Sequence, residues 1–270
     1  MPVGRLALGG GVGTLVLLVV FVLLGGDPRS LLQDVAPPAG DPAAGARQVD
    51  PAEEPLRDFV SVVLADTEDV WHELFQKQPS RNYRQPKLVL YTGQVQVPGG
   101  LATSAMGPFY SPADEKVYLD LSFCQELQTK FRAPGDFAVA YVLAHEVGHH
   151  VQKLLGYWDM VANQRGRVSK ARENQLSVRL ELQADYLAGV WAHHAERTRK
   201  ILEPGDVDEA LGAASAVGDD RLQKQAQGYV VPDSFTHGTS AQRTRWFRLG
   251  METGDLGRAK DLFELPQEQL

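Results

Sequence analysis

The sequence predicts an α+β domain that is mainly helical, contains a small sheet and is preceded by one transmembrane helix. Long stretches with the apolar spacing of a buried helix, above all 136–156 and 170–197, dominate the second half of the chain. Short alternating segments bounded by turn residues are concentrated between 87 and 121, which is enough for a small sheet. An apolar run near the amino terminus supplies the membrane helix.

The amino-terminal run is long enough to act as a membrane anchor. Residues 6–24 carry no charged side chain, and at about 1.5 Å per residue such a helix crosses most of the roughly 30 Å hydrocarbon layer. The run ends at Leu24-Gly-Gly-Asp-Pro28 and not at a small-residue cleavage site, which favours an uncleaved anchor over a signal peptide. Arg5 precedes the span, so we expect a single-pass protein of the cell membrane whose domain lies outside the cytoplasm.

Composition divides the remaining chain into a linker and one domain. Residues 26–54 are rich in Pro, Ala, Gly and Asp and have too few large apolar side chains to pack. With the anchor assigned to 1–25, the domain then spans 55–270. Its single cysteine, Cys124, cannot form an intramolecular disulfide, and we expect it to be a small buried hydrophobe.

The first part of the domain is predicted to contain one helix and the sheet. Residues 56–75 have the spacing of an amphipathic helix. Segments 87–91 and 95–97 are typical of short strands, and 109–110 with 116–121 are typical of a hairpin. Residues 117–121 are our candidate for a strand that binds substrate backbone by strand addition, with a purely structural strand as the alternative.

The helix predicted at 136–156 carries the most informative motif of the chain. His145, Glu146 and His149 form the pattern H-E-x-x-H, which puts both imidazoles on one helix face, where they can bind one zinc ion. Glu146 is then placed to accept a proton from a water at the open position of the metal. The alternative is a pair of core histidines that bond to backbone carbonyls.

The next helix, predicted at 170–197, offers carboxylates for a third metal ligand. Glu181 and Asp185 are one turn apart and share a face. Apolar residues surround them, so burying both would be costly without a cation or donors. An exposed strip of the helix is the alternative. The metzincin pattern is excluded, because it requires glycine and histidine where Gln152 and Leu155 stand.

The last part of the domain adds one more candidate residue. A polar-faced helix is predicted at 206–228, followed by a loop at 229–240 that contains His237. Hydrolysis by a zinc site needs a donor for the oxyanion of the tetrahedral intermediate, and His237 could supply it. The alternative is a loop histidine that caps the following helix.

Together these segments resemble one known family. His145-Glu-Val-Gly-His149 and Glu181-Leu-Gln-Ala-Asp185, with Val-Gly-Asp-Asp-Arg-Leu-Gln-Lys-Gln at 217–225 and Phe-Thr-His-Gly-Thr-Ser-Ala-Gln-Arg at 235–243, resemble the bacterial putative neutral zinc metallopeptidase family over about residues 55–260. The resemblance implies a zincin-like fold and Zn²⁺ bound by His145, His149 and Glu181. It also implies Glu146 as catalytic base and Asp185 as a carboxylate that orients a ligand histidine.

The expected function is that of a membrane-anchored zinc endopeptidase acting on peptide or protein substrates. A net charge of −7 argues against nucleic acid as a partner. One alternative is a membrane-tethered, zinc-containing scaffold without turnover, although a structural site has no use for the acid at Glu146. A hydrolase of non-peptide amides is the other alternative, and the sequence does not separate it from a peptidase.

Overall fold

Three long helices and the shorter helices packed on them form most of the fold, in a computed structural model that describes residues 53–78, 81–129 and 135–270. These residues all belong to one compact unit, Val49–Leu270. The predicted anchor and nearly all of the predicted linker lie outside the described residues. No helix within the described ranges is both long enough and apolar enough to cross a membrane.

The helices confirm the prediction of a mainly helical α+β domain with a small sheet. In chain order they are α1 Glu54–Gln76, α2 Leu121–Thr129, α3 Asp136–Leu155, α4 Tyr157–Ala162, α5 Lys170–Arg199, α6 Asp206–Ala216, α7 Asp219–Gln227, α8 Ser240–Thr253 and α9 Asp261–Glu264. Short 3₁₀ turns occur at Ser104–Met106, Pro232–Ser234, Leu256–Lys260 and Gln267–Gln269. The helix α3 ends as predicted at Gly156, which adopts the left-handed conformation with φ 87°.

Two boundaries differ from the sequence prediction. The helix predicted at 206–228 is split into α6 and α7, because the backbone of Gly218 is extended and interrupts it. Glycine fits this position, since a Cβ there would lie 2.4 Å from the backbone nitrogen of Ser240. The strand predicted at 116–121 ends at Asp120. There the Asp120 carboxylate accepts a hydrogen bond from the backbone N–H of Ser122 at 2.8 Å, which starts α2.

The main sheet has three strands in the order β1 (Lys87–Tyr91), β5 (Lys116–Asp120), β4 (Phe109–Ser111). β5 runs parallel to β1 and antiparallel to β4. A separate antiparallel hairpin is formed by β2 (Gln94–Val97) and β3 (Gly100–Thr103), of which β3 was not predicted. Both edges of β5 are hydrogen-bonded within the sheet, so the expectation that 117–121 adds a substrate strand is wrong. The edge strands are β1 and β4.

Glycines allow the helices of the core to approach closely. A Cβ on Gly148 of α3 would lie 3.0 Å from the carbonyl oxygen of Ala184 on α5. A Cβ on Gly189 of α5 would lie 2.1 Å from the carbonyl oxygen of Phe247 on α8. The first of these crossings falls inside the H-E-x-x-H segment, so the close approach sets the spacing between the two helices that carry the candidate metal ligands.

The α5–α8 crossing gives a stability prediction. We expect Gly189→Ala to lower the free energy of unfolding by about 3 kcal/mol or more, the upper end for overpacking, because the clashing atoms are backbone and cannot rotate away. Gly212→Ala on α6 is the control, since a Cβ there meets nothing within 4 Å and alanine favours a helix. Urea unfolding followed by circular dichroism measures both. Equal stability of the two variants would contradict the close crossing.

Candidate active site

Three candidate ligand side chains converge between α3 and α5. The metal-binding atoms of His145, His149 and Glu181 all lie within 4.8 Å of one another. Glu181 Oε2 is 3.3 Å from His145 Nε2, and Glu181 Oε1 is 3.5 Å from His149 Nε2. Bonds of about 2.0–2.1 Å to a tetrahedral zinc ion would separate adjacent ligand atoms by about 3.3 Å. The two nitrogens and one carboxylate therefore fit a zinc ion by both chemistry and spacing.

Glu181 is the most exposed of the three candidate ligands. The side chains of His145 and His149 are 8% and 9% exposed, and that of Glu181 is 20% exposed. Burial raises the pKa of Glu181, but the charge of His149 and the hydrogen bond to His145 outweigh it, and the net pKa lies well below the ordinary value. Glu181 is therefore a carboxylate, the form that binds a metal.

His145 is oriented by a fully buried carboxylate on α5. Asp185 Oδ1 accepts a hydrogen bond from His145 Nδ1 at 2.8 Å, which leaves Nε2 facing Glu181. Burial lowers the pKa of His145, but the charge of Asp185 outweighs it and raises the pKa to about 9. Asp185 lies behind the histidine and outside the ligand cluster.

Asp185 is in turn held by groups from two other helices. Arg243 of α8 donates to it from Nε at 2.8 Å and from Nη2 at 2.9 Å. The Tyr141 hydroxyl of α3 donates to Oδ1 at 2.6 Å. A carboxylate with this many donors is stable in the core and fixes the ring of His145 in one orientation.

His149 is oriented by a different residue. Its Nδ1 lies 2.9 Å from Gln152 Oε1, and Gln152 Nε2 donates to the Leu180 carbonyl at 2.6 Å. The amide oxygen can only accept, so His149 Nδ1 is the donor and Nε2 is left for a ligand. Gln152 thus links α3, which carries His149, to α5 at Leu180, the residue before Glu181.

Glu146 combines burial with a free carboxylate. It is 8% exposed, and its carboxylate makes no hydrogen bond or ion pair with the part of the chain that the structure describes. Its neighbours His145 and His149 direct their Nε2 atoms towards Glu181. A carboxylate that protein groups leave free can accept a proton from a nearby water.

His237 lies on a loop that Asp219 fixes in place. Asp219 Oδ2 accepts backbone N–H groups of Thr236 at 2.7 Å, His237 at 2.6 Å and Gly238 at 3.2 Å, while Oδ1 is 3.2 Å from His237 Nδ1. The His237 side chain is 49% exposed. Partial burial lowers its pKa, but the hydrogen bond to Asp219 and the charge of Glu181 raise it, and the net direction is upward.

The capping alternative for His237 is wrong. Thr239 caps α8 and forms a reciprocal capping box with Gln242. The loop instead packs on α5 close to Glu181, because a Cβ on Gly238 would lie 3.2 Å from the side chain of Leu182 and 3.3 Å from that of Val178. The structure thus brings His237 towards the same site as the three ligand residues.

The other candidate groups have structural roles. The buried His150 donates from Nε2 to the Arg84 carbonyl at 2.5 Å and accepts at Nδ1 from the Tyr110 hydroxyl at 3.0 Å. Cys124 is 4% exposed, as expected of a small core residue. Burial, with the charge of Asp120, raises the pKa of its thiol to about 12, so it is not a thiolate nucleophile.

Sequence reasoning missed the residues that support the site. Arg243, Asp219, Tyr141 and Gln152 orient the candidate ligands and His237 but were given no role. Two of them carried a signal, because Asp219 and Arg243 fall within the 217–225 and 235–243 segments on which the family resemblance rests. Gln152 lies one turn after His149, and its polar side chain within an apolar helix was the available clue.

The chain is similar to known proteins over most of its length. Residues 2–262 match the family model described as putative neutral zinc metallopeptidase. The uncharacterized protein YpfJ of Escherichia coli K12 is 49% identical over 245 residues, which cover 91% of this chain and 85% of that protein. The uncharacterized protein Rv2575 of Mycobacterium tuberculosis is 46% identical over 183 residues, 64% of this chain and 61% of that protein. No solved structure matches.

Proposed function

Because the chain belongs to the putative neutral zinc metallopeptidase family, we propose that it is a membrane-anchored zinc endopeptidase with a zincin-like fold. The observation that carries the proposal is the convergence of His145, His149 and Glu181 with tetrahedral spacing. The nearby free carboxylate of Glu146 and the loop of His237 add the groups that peptide hydrolysis requires. The substrate is a peptide or protein.

In this mechanism His145, His149 and Glu181 would hold the metal. Bound zinc would supply Lewis acidity to the attacking water and to the scissile carbonyl. Glu146 accepts the proton of the water and passes it to the leaving amine. Asp185, held by Arg243, and Gln152 keep the rings of His145 and His149 directed at the ion.

His237 is proposed to stabilise the charge that develops on the carbonyl oxygen. Nδ1 of His237 is bonded to Asp219, so Nε2 is the atom that would donate to the oxyanion. Donation from Nε2 while Nδ1–H is bonded to Asp219 requires the doubly protonated ring. The raised pKa of His237 extends that form to higher pH.

We therefore expect His237→Ala to keep its zinc and to lower kcat by about a hundredfold or more with little change in KM. The alkaline fall of kcat should also disappear, because the group whose raised pKa sets it has been removed. Metal analysis and pH–rate profiles measure these effects. His72→Ala, which removes an exposed histidine of α1, is the control. A wild-type kcat in His237→Ala would exclude the role in oxyanion binding.

Profiling of cleaved peptides by mass spectrometry tests the function itself. The zinc-loaded chain should cut within peptides of a proteome-derived library, and Glu146→Gln should give far fewer cuts under the same conditions. A chain that binds one zinc and cuts no peptide would point to the scaffold alternative. Hydrolysis confined to non-peptide amides would point to the other alternative.

The membrane attachment is proposed from the sequence of residues 1–25. The mature protein should begin at or near Met1, sediment with membranes and lose its domain to a protease added on the extracytoplasmic side. Amino-terminal sequencing and protease protection of intact cells and spheroplasts measure this. Recovery of a soluble form that begins near residue 25 would establish a cleaved signal instead.

A further inference from the structure

Trp158 of α4 lies directly beside the candidate metal centre. Its ring contacts the ring of His149 edge to face, with centroids 5.6 Å apart and an interplanar angle of 83°. It also contacts Tyr110 of the edge strand β4, with centroids 6.1 Å apart. The indole therefore occupies the space between a metal ligand and the strand that borders the active-site helix.

Trp158 differs from the other tryptophans of the chain in its exposure. Of the four, Trp71, Trp191 and Trp246 are 0–1% exposed and belong to the core. Trp158 is only partly buried. Its open aromatic surface is therefore available to an apolar group of a bound substrate.

Apolar packing supports Trp158 from one side. It packs against a small apolar cluster formed by Val161, Leu176 and Leu180, which is separate from the main core. Leu180 directly precedes the ligand Glu181, and its carbonyl accepts the hydrogen bond of Gln152 that orients His149. A preformed aromatic wall of this kind binds an apolar side chain at little entropic cost.

We propose that Trp158 forms an apolar subsite that selects peptides with an aromatic or large aliphatic side chain next to the scissile bond. The inference deepens the proposed function and rests on it. The contacts with His149 and Tyr110 place the subsite next to the metal ligand and the edge strand, where such a side chain would lie.

Two zinc-binding probes that differ only in one side chain test this proposal. N-acetylphenylalanine hydroxamate and N-acetylglycine hydroxamate present the same chelating group, and calorimetric titration of the zinc-loaded full chain measures their affinities. We expect the wild type to bind the phenylalanine probe at least about tenfold more tightly, the scale of discrimination that an apolar pocket provides. Trp158→Ala should reduce the preference to less than about threefold, with zinc content unchanged.

Two further variants make the result specific. Trp158→Phe keeps a smaller ring and should show an intermediate preference, so it replaces the alanine variant if that chain does not fold. Tyr157→Ala is the matched control, because Tyr157 stacks on Phe263, with centroids 5.2 Å apart, and not on a ligand. It should keep the full preference.

Fluorescence locates the bound side chain. The phenylalanine probe should change the tryptophan emission of the wild type, whereas Trp158→Phe, which retains only the three core tryptophans, should show no change. A preference that persists in Trp158→Ala, or that is also lost in Tyr157→Ala, would overturn the subsite. If the zinc-loaded wild type binds both probes equally, the subsite fails and the metal site stands. If the zinc-loaded wild type binds neither probe, both the subsite and the proposed function are contradicted.

Discussion

Glu146→Gln is expected to abolish nearly all turnover while the chain keeps its zinc and its fold. Glutamine has the same size and hydrogen-bonding reach but cannot accept a proton at neutral pH, so kcat should fall by about 10²- to 10⁴-fold, the usual contribution of a positioned general base. The carboxylate has no partner among the described residues that its loss would leave unsatisfied. Stability should therefore change little.

Metal analysis, circular dichroism and kinetics on one peptide found by profiling separate the possible outcomes. Glu252→Gln is the control, because it makes the same change at an exposed carboxylate of α8. Wild-type activity in Glu146→Gln would exclude the protease mechanism. Loss of zinc from that variant would show instead that Glu146 helps to bind the metal.

The sequence was sufficient for those parts of the site that are local along the chain. His145, Glu146 and His149 lie within two turns of one helix, so helical geometry alone places the two histidines on a common face and Glu146 one residue round from His145. The start and end of α3 could be predicted for a similar reason, because Asp136 and Gly156 act within one turn of the boundary.

The remainder of the site depends on contacts between distant segments. Glu181 and Asp185 share a face of α5, so spacing could not decide which of them meets the metal. The structure separates them through Arg243, 58 residues further on, which pairs with Asp185 behind His145. Residues 117–121 were wrongly expected to bind a substrate strand for a similar reason. Whether a strand is central or at an edge depends on both of its neighbours, which lie elsewhere in the sequence.

Glu181 belongs to the ligand cluster and Asp185 lies behind His145, so substitutions at these two residues should differ strongly in their effect on zinc content. We expect His145→Ala, His149→Ala and Glu181→Gln each to lose most of their zinc, because a three-ligand site rarely survives on two. Asp185→Asn should keep its zinc with an affinity lowered by about 10- to 100-fold, because Asp185 orients His145 and does not bind the metal. It should also lower the free energy of unfolding, because the buried Arg243 loses its charge partner.

Elemental analysis after dialysis against a graded series of chelator concentrations distinguishes lost from weakened binding. His72→Ala removes an exposed histidine far along the chain from the motif and should keep about one zinc per chain. If Glu181→Gln kept its zinc and Asp185→Asn lost it, the two carboxylates would have exchanged roles. That outcome requires Asp185 to leave Arg243, which is 5% exposed and would then remain as an unpaired buried charge. The cost of that charge, several kcal/mol, is the physical reason to expect Glu181 as the third ligand.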